Sequence, residues 1–191
     1  MTASPASDPN FMECLPHTLI QECPYPNDWS NPKNFSNDAH DPGGATMCGI
    51  IQTEYNSWRK AQGLPVQPVQ LLTMAEGYAI YYQNYWIPEC PKLPPGMDLQ
   101  FFDAAVNEGV TEATKILQYV HGIPVDGIWG PQTDDAVQAK LTAAVSVTLI
   151  KAFTARREAV YRMFAGYQYF GNDWERRSAE IGSQAVAMAQ A

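Results

Sequence analysis

Apolar residues recur at helical spacing along most of this chain. Phe11, Leu15 and Leu19 form a first stripe, and Glu22 continues that face one turn on. Pro16 lacks a backbone donor and crowds the preceding turn, which predicts a kink or a late start for this helix. Residues 23–45 carry Pro, Asn, Asp, Ser and Gly throughout and read as a long irregular loop. The run Cys48–Ile51 is short and apolar, the length of a small strand. Thr53 is placed to cap a helix reaching about Gln62 and closed by Gly63. Thr73-Met-Ala-Glu76 is a capping box that opens a helix to about Trp86. After a proline-rich break at 87–97, Asp98 caps a helix with Leu99, Phe102 and Val106 on its apolar face. Ala113, Ile116, Leu117 and Val120 mark another, stopping at Gly122. A turn at 123–130 leads to Pro131, suited to the first position of a helix, and two final helices cover roughly 144–165 and 171–189. The pattern predicts a mainly α fold with at most one small β element.

Composition refines this outline. A chain of 191 residues, 46% hydrophobic and 17% charged, can bury roughly 70% of its unfolded surface without metal or disulfide support. Residues 1–9 are small and polar and read as a disordered tail. The remainder divides at the proline-rich break into an N-terminal part, 10–97, and a C-terminal helical part, 98–185, expected to pack as one globule and to act as a monomer. The formal charge of −8 argues against a nucleic-acid partner, because phosphate binding needs clustered Lys and Arg. No apolar run is long enough to span a bilayer, so membrane insertion is not expected. The opening residues MTASPASDPN lack the basic and apolar regions of a signal peptide, so a cytoplasmic protein released by a partner-dependent route is expected. Cys14, Cys23, Cys48 and Cys90 contain no CxxC pair and read as free thiols, with a Cys14–Cys23 bridge the conceivable alternative. His17, His40 and His121 are too scattered for a metal site, and neither metal nor cofactor is expected.

Two acidic positions attract attention. Glu22 ends an amphipathic helix at the mouth of the loop. Partial desolvation at such a position lets a carboxyl hold the proton that a glycosidic leaving oxygen needs. The same residue could equally be a solvated helix-terminal glutamate. Asp41-Pro42-Gly43-Gly44-Ala45-Thr46 is a tight turn in which Asp41 and Thr46 could face one cleft and hold an attacking water, or simply form an Asx-type turn.

Glu22 followed by the stretch Asn37 to Ile50 (NDAHDPGGATMCGI) resembles the N-terminal signature of glycoside hydrolase family 108, N-acetylmuramidases of phage type in the lysozyme superfamily. The similarity continues at Tyr81–Trp86, Phe102–Asn107, Leu117-Gln118 and Val125–Thr133, the last two similar to the family's C-terminal peptidoglycan-binding-like part, and at Phe170–Arg177. The resemblance implies a lysozyme-like helical globule that cuts the β-1,4 bond between N-acetylmuramic acid and N-acetylglucosamine by inversion. It implies Glu22 as proton donor, Asp41 and Thr46 as holders of the water, and bacterial peptidoglycan as partner. Phage lysis then suits the expected route of release. Tyr85, Trp86, Asn107, Trp129 and Gln132 are the candidate glycan contacts. Trp174, Arg176 and Arg177 read as packing plus surface charge, and Glu108 and Glu112 as solvated. The sequence departs from the family where Cys23-Pro24 replaces a Gly-Gly pair and where the stretch between Glu22 and Asp41 is longer. A scaffold that binds wall without turnover is therefore the alternative.

Overall fold

The computed structural model describes residues 4–37, 44–140 and 143–191. Among these are eight helices and a small sheet: α1 (Pro9–Glu22), β1 (Phe35–Ser36), β2 (Thr46–Met47), β3 (Ile50–Ile51), α2 (Gln52–Ala61), α3 (Met74–Tyr81), α4 (Met97–Glu108), α5 (Val110–His121), α6 (Pro131–Gln138), α7 (Ala143–Tyr161) and α8 (Tyr167–Gln190). The fold is mainly α, as the periodicity predicts, with one antiparallel sheet in the order β1-β2-β3. No described helix is long and apolar enough to cross a membrane. The chain forms two compact units, Met1–Asn84 and Tyr85–Ala191, dividing inside the π-helical turn Tyr82–Trp86 that follows α3.

In the first unit, order begins earlier than the composition of the N-terminus suggests. Asp8 caps α1 by accepting from the Phe11 amide at 3.1 Å, and the Tyr82 hydroxyl donates to the other Asp8 oxygen at 3.2 Å. Pro16 sits inside α1 without ending it, contrary to the expected late start. A mid-helix proline costs about 3 kcal/mol. Phe11, Leu15 and Leu19 flank it on one fully buried face, and each such side chain contributes about 1.5–3 kcal/mol. Burial wins.

The loop after α1 is less irregular than its composition implies. The buried Asn34 side chain accepts from the Tyr25 amide at 2.9 Å and donates to the carbonyls of Tyr25 (3.1 Å) and Asp28 (2.8 Å), closing residues 25–34 on themselves. Trp29 is buried and lies directly on α3, where a Cβ at Gly77 would stand 2.1 Å from its ring. Beyond Asn34 the chain becomes β1, which pairs Phe35 with Met47 and Ser36 with Thr46. Strands β2 and β3 are joined by Cys48-Gly49, both with positive φ (45° and 75°), as a two-residue hairpin turn requires. Helix α2 starts at Gln52, one residue ahead of the expected Thr53 cap. The capping box at Thr73 and Glu76 forms, and Glu76 also pairs with Arg59 of α2.

The second unit is organised around α4, buried from Met97 to Ala105. Asp98 is not its cap. It lies in the first turn, where its carboxylate accepts from the amides of Gly96 (2.8 Å) and Leu99 (2.7 Å). Helices α5, α7 and α8 pack on α4, and α7 packs along α8. One charge lies at the centre. Asp103, fully buried, receives Arg157 of α7 at 2.7 Å and a two-pronged contact from Arg177 of α8 at 2.9 and 3.0 Å. Burial pushes its carboxyl up, but the Arg177 and Arg157 guanidiniums outweigh that and hold it below the usual carboxylate range. Arg177 is therefore a core residue rather than surface charge. Only Arg176 of that pair is exposed, beside Glu180.

A carboxyl held low in the folded state stabilises it above the ordinary carboxylate range and loses that contribution as pH falls through and below it. Asp103→Ala leaves two buried guanidiniums without their carboxylate and should cost about 3–5 kcal/mol in urea unfolding at neutral pH. The loss relative to wild type should shrink on acidification below about pH 4. An equal loss at every pH would show that Asp103 is not the group that titrates.

Candidate active site

Helix α1 delivers Glu22 as its last residue, and Cys23 leaves the helix with extended backbone while its amide still bonds the Leu19 carbonyl at 2.8 Å. Cys23 is joined to Cys48 by a disulfide, with Cα atoms 4.4 Å apart. This corrects both readings of the cysteines, free thiols and a Cys14–Cys23 bridge. Cys14 lies on the buried face of α1, and Cys90 is a buried thiol of the second unit. The disulfide ties the residue beside Glu22 to the β2–β3 turn. That turn is held from two further sides. The Cys48 amide donates to the Asn34 carbonyl at 3.1 Å, and the buried Tyr81 hydroxyl of α3 donates to the Cys48 carbonyl at 2.7 Å.

Gly49 is the contact point. A Cβ there would stand 2.7 Å from Glu22 Oε2 and 2.8 Å from the Tyr81 hydroxyl, with φ already in the left-handed region at 75°. Only a hydrogen fits. The half-buried Glu22 carboxyl thus rests against the backbone of the hairpin turn, with the Tyr81 phenol beside it. Thr46 lies on the same hairpin three residues earlier, half-buried, its hydroxyl donating to the Gly44 carbonyl at 3.1 Å. The sequence-predicted Asp41 lies outside the described residues.

The aromatic and amide candidates fall in the second unit. Trp86 is 1% exposed and packs edge-on against Phe102 at 5.5 Å, so it is core and offers no face to a sugar. Helix-end aromatics at apolar spacing are core as often as platform, and here the inward register decides. Tyr85 is half-buried. Asn107 lies in the last turn of α4, exposed, and accepts from the Tyr161 hydroxyl at 2.9 Å. Trp129 is half-buried, its indole donating to Asp134 at 2.6 Å with Lys92 over its ring at 4.9 Å. Gln132 is exposed in the first turn of α6. The Asp126-Gly127 turn is built on Gln118, which accepts from both amides (3.0 and 2.9 Å) and donates to Asp126 at 2.7 Å. That motif shapes backbone.

Sequence reasoning missed Glu108. It is not solvated. Its side chain is 2% exposed and accepts from Arg157 Nε. Burial pushes its carboxyl up, against the pull of the Arg157 guanidinium. The available signal was Arg157 itself, a cation falling on the apolar stripe Ile150, Phe153 and Val160 of α7, where it had to meet carboxylates. Among the described residues, no three His, Cys, Asp or Glu side chains are grouped so as to hold a metal ion.

Residues 33–109 match the family described as glycosyl hydrolase 108. The chain is similar in structure to SagA of Brucella abortus, with a TM-score of 0.76 and 28% identity, covering 94% of this chain and 95% of that one. No curated protein sequence matches it. The matched segment contains the signature around Thr46 and Gly49 on which the resemblance rests, so the chain is similar to glycoside hydrolases of that family over those residues. Glu22 stands ahead of the matched segment, which begins at residue 33.

If the hairpin turn seats Glu22, Gly49→Ala should displace the carboxyl and strain the backbone by about 1–2 kcal/mol. Gly44→Ala carries the same left-handed strain (φ 69°) but meets open space. Gly49→Ala should therefore lose tenfold or more of any hydrolytic rate on cell walls, roughly the 1.4 kcal/mol or more expected of a displaced acid, while Gly44→Ala stays near wild type. Equal losses in the two variants would contradict the contact.

Proposed function

We propose that the chain is a peptidoglycan hydrolase cutting the β-1,4 bond between N-acetylmuramic acid and N-acetylglucosamine, with Glu22 as general acid. The observation that carries this reading is the seating of the Glu22 carboxyl, half-buried against Gly49 and clamped through the adjacent Cys23–Cys48 bridge. A glycosidase acid must sit at a fixed distance from the leaving oxygen and be partly shielded from water. The match of residues 33–109 to a glycoside hydrolase family supports the same chemistry.

In this reading Glu22 gives its proton to the glycosidic oxygen as the C1–O bond breaks. Water attacks C1 from the opposite face, and the Asp41 carboxylate takes the water's proton, with Thr46 holding the water by its hydroxyl. The configuration at C1 inverts. Exchange with solvent returns both carboxyls to their starting states. Tyr85, Asn107, Trp129 and Gln132 remain candidate glycan contacts, and the buried Trp86 does not.

Glu22→Gln keeps the size of the side chain and removes the transferable proton. It should fold with wild-type stability, still sediment with purified peptidoglycan, and release reducing ends at least about a hundredfold more slowly, the usual contribution of a general acid. Wild-type lysis by this variant would remove Glu22 from the mechanism. Binding by the wild-type chain without new reducing ends would favour the wall-binding alternative.

A further inference from the structure

The two sequence neighbourhoods joined by the Cys23–Cys48 bridge are anchored unequally. On one side is the β2–β3 turn, which the Asn34 carbonyl (3.1 Å) and the Tyr81 hydroxyl (2.7 Å) hold at Cys48 without any help from sulfur. On the other side is the end of α1. Cys23 gives its amide to the Leu19 carbonyl at 2.8 Å, and Pro24 has no amide to give. Pro24 and Tyr25 are exposed, and the next tie is at Tyr25, whose amide and carbonyl bond the Asn34 side chain (2.9 and 3.1 Å). That tie closes the loop on itself. The bridge is the covalent link from the helix end, where Glu22 sits, to the turn against which its carboxyl rests. Both sulfur-bearing residues are buried, at 2% and 1% exposure, so stray thiols are kept off. Each is nevertheless flanked by an exposed residue, Pro24 and Gly49, so a local opening of either end admits a small reagent.

We infer that the Cys23–Cys48 bridge is a redox switch on the placement of Glu22, seating the carboxyl when oxidised and releasing it when reduced. A dithiol reductant bonds one of its sulfurs to a bridge sulfur as the Cys23–Cys48 bond breaks, and its second sulfur then displaces the first. Two electrons and two protons pass to the protein, leaving two thiols and one reagent disulfide. A small-molecule disulfide takes them back. In the reduced chain Asn34 and Tyr81 still hold the turn, and the buried stripe Phe11, Leu15 and Leu19 still holds α1. What is lost is the tie at the last helical residue, and terminal turns without one fray. A catalytic group misplaced by about 1 Å loses about a hundredfold in rate. A chain made where thiols are kept reduced is therefore slow, and it gains its rate where disulfides form. The consequence for turnover rests on the reading of Glu22 as the general acid. The loosening of the helix end does not.

The test compares the full wild-type chain oxidised by glutathione disulfide with the same chain reduced by dithiothreitol, the bridge being followed by peptide mass mapping. On reduction, kcat for release of reducing ends should fall about tenfold or more, KM should stay within about twofold, and reoxidation should restore the rate. Amide exchange at Glu22 and Cys23 should quicken about tenfold while that at Ile80 and Tyr81 of α3 stays as it was. Cys23→Ala should work at the reduced wild-type rate in both buffers. If that variant does not fold, Cys48→Asn takes its place, since Asn accepts the left-handed backbone at φ 45°. Equal kcat and equal exchange in the two states overturn the switch. So does a general loss of exchange protection on reduction, which would make the bridge a staple of the whole fold. Wall cleavage that ignores the redox state would leave the hydrolase reading intact. Quickened exchange at Glu22 and Cys23 in a chain that cleaves nothing in either state would sink that reading and leave the switch standing.

Discussion

A carboxyl at the end of a helix is a poor catalyst unless the chain just beyond it is anchored, because terminal turns fray and the side chain swings with them. In this protein the anchor is the contact between Glu22 and the Cys48-Gly49 turn. The Cys23–Cys48 bridge fixes the helix end, Asn34 and Tyr81 fix the turn, and the missing side chain at Gly49 lets carboxyl and backbone meet. The buried stripe of α1, the folded loop around Asn34 and the small sheet all serve that meeting. Removing any one would leave Glu22 attached to a looser frame. Acid catalysis depends on a transition-state distance, so small displacements there matter more than comparable ones elsewhere.

The second unit solves a different problem. Its central helix is apolar enough to be buried on most sides, yet it carries Asp103, and an isolated carboxylate in such a place would be costly. Two arginines from two other helices converge on it, which fixes the register of α7 and α8 against α4 as well as neutralising the charge. Arg157 then has a second carboxylate to satisfy, Glu108, and satisfies only one of its oxygens.

Much of this was legible in the residues. The apolar stripe of α1 and a small β element near Cys48–Ile51 are where the pattern puts them, although Cys48-Gly49 is the hairpin turn rather than part of a strand. The capping box at Thr73 and the stop at Gly122 are local chemistry and form where they are read. What escaped was everything set by distance along the chain. The Cys23–Cys48 pairing spans 25 residues and depends on where the sheet folds back. Trp86 points inward because of the register of the turn after α3, which no local pattern fixes. Glu108 and Arg177 resemble surface charges until three helices are brought together. Of the two outcomes read for Pro16, a kink or a late start, the late start does not occur, because tertiary burial overrides that local penalty.

Mass spectrometry of the soluble fragments from purified sacculi tests the central claim most directly, since it identifies the bond that is broken. Disaccharide–peptides ending in a reducing N-acetylmuramic acid, produced by the wild-type chain, are the result this account predicts. Fragments ending in reducing N-acetylglucosamine, or peptides released from intact glycan strands, would contradict it.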